Sequence, residues 1–282
     1  MRLMVQSNGM AVPVLGDNEG LSSDTEAGVF GTIGSGSVGA FGQFDLGNGF
    51  SVRAGAAWQE ADFHAVKLES SGLIGGKARY ISNDLGGFKL FAEAGGWTSI
   101  SGKFVFTRTY ANGAGTAVGT ANTGGSDSYY FGRIGAALEV TPDDQAALSG
   151  EIGRADLNTY AYSETLSQAD PFEAQANAGQ DSFTVWGVRG QWRHDFTNQI
   201  TGMAWVAGKW DADYGTNFNA IIPGFGAVVP QNIGSQGWVE YGVRGSYAIT
   251  DAAIADAFVD GVSGSSIIGS QAHFGIDIRL KL

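Results

Sequence analysis

From position 274 to the last residue, every even position is apolar (Phe274, Ile276, Ile278, Leu280, Leu282), and Asp277, Arg279 and Lys281 between them are charged. Successive side chains of a strand point to opposite faces, so this stretch has one oily face and one ionic face. A helix would scatter Ile276, Ile278 and Leu280 around its cylinder, so the period of two decides for a strand. The same period recurs along most of the chain and restricts it to an all-β architecture.

In chain order, Val38, Ala40, Gly42, Phe44 and Leu46 lie opposite Phe41, Gln43 and Asp45, and Gly47-Asn48-Gly49 marks a hairpin turn. Further alternating stretches begin at Phe50, Gly72, Phe88, Tyr130, Ala146, Thr184, Ile200, Val239 and, more weakly, Ala253, before the final one. That makes eleven strands from Ser37 onward. Short turns are expected at 47–49, 83–87, 141–144, 195–199 and 250–252. Longer connections are expected at 62–70, 111–127, 162–180, 212–236 and 261–269. The segment 111–127 is mostly Gly, Ala, Thr and Asn and reads as a long loop. The apolar stretch 221–229 reads equally as a plug folded into the interior or a contact for a partner, or as a local hairpin around its prolines.

The alternation of short and long connections places the tight turns at one end of the structure and the long loops at the other. A water-soluble sandwich has no reason to sort its loops in this way, whereas an up-and-down barrel in an outer membrane does. One further strand before Ser37, within either 2–14 or 28–33, gives twelve and puts both chain ends at the tight-turn end. The expected organisation is a lead at 1–36 that includes the first strand, then an antiparallel up-and-down transmembrane β-barrel over 37–282.

Composition removes several other classes. No run approaches the roughly 18 consecutive apolar residues of a membrane helix. With no cysteine there is neither disulfide nor thiolate chemistry, and a net charge of −12 argues against a nucleic-acid partner. After Met1 and Arg2, the apolar Leu3, Met4 and Val5 are cut short by Gln6, so no secretory signal is read and export would need sequence ahead of Met1.

Sorted by strand parity, the faces opposite the apolar ones collect Arg53, Lys77, Arg79, Lys89, Arg133, Arg189, Arg193, Lys209, Arg244, Arg279 and Lys281. Among them stand Glu93, Glu139, Glu151, Asp211, Glu240 and Asp277. Charge at mid-depth against lipid costs about 2 to 4 kcal/mol, so this face is expected to line a hydrated lumen. Pairing of both signs to fill a polar lumen accounts for the pattern. A cationic constriction that selects anions or guides a polypeptide is the alternative. Trp58, Tyr80, Trp192, Trp210 and Tyr247, near strand ends on the apolar face, read as interfacial girdle anchors.

On these features, the chain resembles the C-terminal β-domain, or translocator, of Gram-negative autotransporters over nearly its whole length. The likeness rests on the twelve-strand count, on the early hairpin with Gly-Gln-Phe-Asp-Leu-Gly-Asn-Gly at its turn, and on the ending. His273, Gly275, Ile278, Leu280 and Leu282 are similar to the family's barrel-assembly signal, although the family usually ends in an aromatic residue. The resemblance implies a monomeric barrel in the outer-membrane lipid, assembled by the barrel-assembly machinery through the C-terminal strand. It also implies export of an upstream passenger in cis. The family carries a pore-crossing helix before the barrel, of which at most a remnant is expected here. A small passive channel, or a surface adhesin working through the long loops, are the other functions this pattern allows.

No enzymatic activity, cofactor or metal is expected. The three histidines, His64, His194 and His273, are far apart in the chain and not spaced as metal ligands. His194 beside Asp195 reads as a solvated turn residue, not half of a catalytic dyad. His273 with Ser270 supplies at most two members of a triad. The glycine-rich turns precede no helix, so phosphate-loop readings fail for lack of context.

Overall fold

The computed structural model describes residues 11–17, 21, 24–33, 36–63, 66–111, 115–167, 172–217, 219–223, 226–228, 234–265 and 268–282. Twelve long strands follow one another: β1 (Glu26–Ile33), β2 (Ser37–Gly47), β3 (Phe50–Phe63), β4 (Val66–Ile81), β5 (Phe88–Ala111), β6 (Thr116–Thr141), β7 (Asp144–Thr159), β8 (Gly179–Asp195), β9 (Ile200–Thr216), β10 (Gly237–Thr250), β11 (Ala253–Gly264) and β12 (Ser270–Lys281). Each pairs antiparallel with its sequence neighbours. β1 also pairs with β12, from Glu26 opposite Lys281 to Ile33 opposite Phe274, so the sheet closes into a barrel with no free edge.

The first strand therefore lies at Glu26–Ile33. The alternative at 2–14 does not hold for its described part, because residues 11–15 form a helical turn and 1–10 lie outside the described residues. The Leu282 N–H donates to the Thr25 carbonyl at 3.0 Å, so the barrel begins and ends at its tight-turn end. At the first tight turn, Gly47, Asn48 and Gly49 all have positive φ (79°, 54° and 81°), which is why glycine and asparagine stand there.

Two of the expected long connections, 62–70 and 111–127, are largely strand, and a third, 212–236, is strand at its start and in two short pieces. β3 and β4 continue past 62–70 to a pairing of Phe63 with Val66. β6 begins at Thr116, making a hairpin with β5 in strands of 24 and 26 residues. β9 runs on to Thr216. The cause is common to all three: once a strand rises beyond the oily band both its faces meet water or other loops. Small polar residues then suffice to keep the ladder, and the hydrophobic alternation that marks a strand in sequence disappears. β11 likewise extends to Gly264.

Within the loops, residues Ala220–Ile222 and Gly226–Val228 pair as a hairpin, which decides the reading of 221–229. That hairpin joins Gln175–Ala176 and Tyr162–Ser163 in a small four-stranded sheet.

The outer surface of the barrel is apolar. Val38, Phe44 and Leu46 on β2, Ile134 and Leu138 on β6, and Ile276, Ile278 and Leu280 on β12 are all exposed. The inner surface is filled by aromatic side chains laid across glycines of neighbouring strands. Phe258 is 2 % exposed, and a Cβ added at Gly275 would overlap its ring; Phe91 over Gly135 and Phe41 over Gly28 repeat the device. A Gly275→Val substitution should therefore destabilise the barrel by about 1 to 3 kcal/mol through overpacking. In a Phe258→Ala background, itself costly by about 3 to 5 kcal/mol, the glycine change should cost little further in urea unfolding of the detergent-solubilised protein. If the glycine change costs as much in that background as in the wild type, the glycine matters for some reason other than the ring.

Candidate functional site

The inward parity of the strands builds a belt of charges toward the tight-turn end. Among the described residues, one part comprises the cations Arg53, Lys77, Arg79, Arg133, Arg189 and Lys209 and the wall carboxylates Glu26, Glu93, Glu151 and Glu240, all buried. Glu93 meets Arg79 at 2.6 Å, Arg133 at 2.8 Å and Lys77 at 3.3 Å. Glu151 meets Arg133 at 2.6 Å and Lys209 at 2.9 Å, and Lys209 reaches on to Glu240 at 3.2 Å. The other part joins β10, β11 and β12: Arg244 meets Asp277 at 2.6 Å and Asp256 at 2.9 Å, and Arg279 meets Asp256 at 2.8 Å. Glu26 on the closing strand links the parts, meeting Arg279 at 3.0 Å and Arg53 at 3.4 Å.

Against this belt lies the segment 11–17. Ala11, Val12, Val14 and Leu15 are at most 5 % exposed, so this helical turn sits inside the barrel. Side chains of the wall satisfy the turn's terminal carbonyls, which a helix end leaves without internal partners. Arg53 donates through Nε to the Val14 carbonyl at 2.9 Å and through a terminal nitrogen to the Pro13 carbonyl at 2.8 Å. The Asp17 carboxylate meets Lys77 at 3.0 Å and Arg133 at 3.2 Å, and the Asp17 carbonyl accepts a hydrogen bond from Arg189. Three strands, β4, β6 and β8, thus hold one residue of the segment.

The interior is not a simple hydrated lumen, which corrects the expectation drawn from the charges alone. Ala11, Val14 and Leu15 belong to a buried apolar cluster with Phe30, Phe41, Leu73, Trp97, Tyr129, Phe183, Trp238 and Ile268 among others. Phe41, Phe91, Trp97 and Trp205 already interrupt the polar face in the sequence, and that was the legible sign of a filled interior. The remaining space beside Asp17, Arg133 and Arg189 is a cavity of about 20 Å³, room for one water. A larger cavity of about 250 Å³ opens at the tight-turn end between Glu26, Arg193, Arg244 and Arg279.

Four residues of the expected lumen set stand elsewhere. Lys89, Glu139, Arg193 and Lys281 keep the inward parity but lie at the tight-turn rim, where their side chains are 37 to 54 % exposed and pair as Lys89–Glu139, Arg193–Asp195 and Lys281–Asp24. They end up in water because their strands turn there. Trp58, Tyr80, Trp192, Trp210 and Tyr247 are all exposed on the outer face. His273 is buried, whereas Ile278, Leu280 and Leu282 are exposed on the outer face. Sequence reasoning missed Asp17 and Glu26, which fell in an acidic stretch that reads as loop, and Asp256, which sits in the weakest alternation.

At the long-loop end, Arg108 at the top of β5 grips Glu164 through Nε at 2.9 Å and a terminal nitrogen at 2.5 Å, and also the Phe172 carbonyl at 2.9 Å. Burial works against the Glu164 charge, but the hydrogen bonds from Arg108 and from the Ala174 N–H outweigh it and hold its pKa below the ordinary carboxylate value. His194 pairs through Nδ1 with Asp144 at 2.8 Å, on the tight-turn rim. No cluster of three or more His, Asp or Glu side chains suited to a metal occurs among the described residues.

No family model matches the chain, and no curated protein matches it by sequence. Solved structures do. The translocator domain of autotransporter NalP from Neisseria meningitidis superimposes with a TM-score of 0.64 at 9 % identity, covering 99 % of this chain and 96 % of that one. The fold is a closed twelve-stranded barrel, shared with that translocator domain. The β-domain of the Bordetella autotransporter BrkA matches with a TM-score of 0.51 at 15 % identity, covering 92 % of this chain and 99 % of that one. At these identities the translocator likeness is one of fold, a closed twelve-stranded barrel of outer-membrane type, carried by alternation and strand count with few shared residues.

Proposed function

We propose that this chain is a translocator that spans the Gram-negative outer membrane and supports export of an upstream passenger to the cell surface, without enzymatic activity. The observation that carries the reading is the segment 11–17, lodged inside the barrel and held by Arg53, Lys77, Arg133 and Arg189. A channel for small solutes gains nothing from a polypeptide lodged at its charged belt, whereas a translocator is left with one when transport stops. The apolar outer wall supports lipid as the surrounding solvent, with Trp58, Tyr80, Trp192, Trp210 and Tyr247 at the interfaces. On this reading the barrel works as a monomer. The C-terminal strand, with His273, Gly275, Ile278, Leu280 and Leu282, is the part offered to the barrel-assembly machinery.

The test is a folded reporter domain fused ahead of Met1, behind a secretion signal, and expressed in a Gram-negative host. The expected result is a reporter cleaved by protease added to intact cells. A reporter that stays protected while the barrel itself shows heat-modifiable gel mobility overturns the proposal.

A further inference from the structure

At its tight-turn rim the outer wall carries a carboxylate that an oily surface does not require. Asp144 opens β7 with the same parity as the exposed Leu148 and Ile152, and it stands opposite His194 of β8. Its Oδ1 accepts from His194 Nδ1 at 2.8 Å and from Trp192 Nε1 at 3.1 Å, and its Oδ2 accepts from the Thr141 hydroxyl at 2.6 Å. These donors are an imidazole, an indole and a hydroxyl. Among the described residues no lysine or arginine pairs with Asp144, whereas the rim carboxylates Glu139, Asp195 and Asp24 have Lys89, Arg193 and Lys281. A carboxylate offers about four acceptor sites, so one is left, and 24 % of the side chain stays exposed for a further donor to reach it.

Trp192 joins this carboxylate to a groove of about 630 Å³ in the outer wall. Two residues along each strand from the row of His194, Trp192, Ala204 and Val243 form one row, and Gly190, Val206 and Tyr241 form the next. The small Ala204 and Gly190 leave the depression, and a Cβ added at Gly190 would meet nothing within 4 Å. On the other side of His194 the Phe196 ring continues a ladder with it and Trp192, the centroids 4.5 and 5.6 Å apart. An anionic group at the rim and an apolar trough running inward from it complement one kind of molecule, an amphiphile with a cationic head.

Resting on the reading of the chain as an outer-membrane barrel, we infer that this is a binding site for an aminophospholipid of the periplasmic leaflet. The primary ammonium of the head donates to Asp144, and one acyl chain lies in the groove between Trp192 and Tyr241. A lipid whose head carries only a negative charge meets Asp144 without compensation.

The experiment inserts the full chain into vesicles of equal amounts of phosphatidylethanolamine and phosphatidylglycerol with matched chains. The barrel is extracted in mild detergent and its bound lipid is weighed by native mass spectrometry. Wild type should retain phosphatidylethanolamine over phosphatidylglycerol by about three- to fivefold, the effect of one partly exposed charge pair. Asp144→Asn should bring the ratio to about one, and Asp144→Lys should reverse it. Ala204→Trp fills the groove with Asp144 intact and should lower retention of phosphatidylethanolamine about threefold or more. Equal retention of the two lipids by wild type, a preference that survives Asp144→Lys, or binding untouched by Ala204→Trp overturns the inference. Heat-modifiable mobility is read on each variant first. A chain that does not enter vesicles sinks the membrane reading itself, whereas an inserted barrel without a lipid preference sinks only this site.

Discussion

Arg133→Ala should lower the stability of the barrel by about 3 kcal/mol or more, whereas Lys89→Ala should cost no more than about 1 kcal/mol. Both residues are cations paired with carboxylates, and burial separates them. Arg133 is 7 % exposed at its side chain and meets Glu93, Glu151 and Asp17, while Lys89 is 37 % exposed and meets Glu139 at the rim. Removing one partner of a buried network strands the others without water. Here the loss falls near the low end of that range, because Glu93 keeps Arg79 and Lys77, Glu151 keeps Lys209, and Asp17 keeps Lys77. Urea unfolding in detergent micelles, followed by tryptophan fluorescence, reads both variants. Equal midpoints would show that the belt is as well hydrated as the rim, and the account of a filled interior would fail.

The second large effect comes from the opposite face. Ile134 is 72 % exposed, and in a water-soluble protein arginine at such a site changes stability by about 0.5 kcal/mol or less. On a lipid-facing wall at mid-depth, Ile134→Arg should cost about 2 to 4 kcal/mol. Val140, on the same strand and face, is also exposed but lies beside the tight turn. At roughly 3.3 Å per residue and a tilt of about 40°, six residues place it about 15 Å nearer the membrane edge. There Val140→Arg should cost about 0 to 1 kcal/mol. Reversible folding into vesicles of short-chain phospholipid measures the difference. The same small cost at both depths would mean that the outer wall does not face oil.

Legibility followed the contrast between solvents. Where one face is an exposed apolar wall and the other lines the interior, as in Phe50 to Trp58 or Phe274 to Leu282, residue parity alone names the inward cations, and thirteen of the seventeen expected lumen charges are buried. The contrast fades above the oily band, so the upper parts of β5 and β6 read as loop although their backbones pair to the tip, Ala111 opposite Thr116. It also fades at the tight-turn rim, where Lys89 and Arg193 share the parity of Arg133 but lie at a turn.

The chain's own order of residues determined the two-faced ribbon, the number of long strands from Ser37 onward, the closing direction and the charged character of the inner surface. Each of these depends on neighbours one to a dozen positions apart. Only the tertiary structure decided what fills the barrel. Asp17 meets Lys77, Arg133 and Arg189, and Glu26 meets Arg279 more than 250 positions away, once closure brings β1 against β12. A period of two records which side of a sheet a residue takes. The partner it finds across an enclosed space depends on curvature and strand stagger, which no local pattern carries.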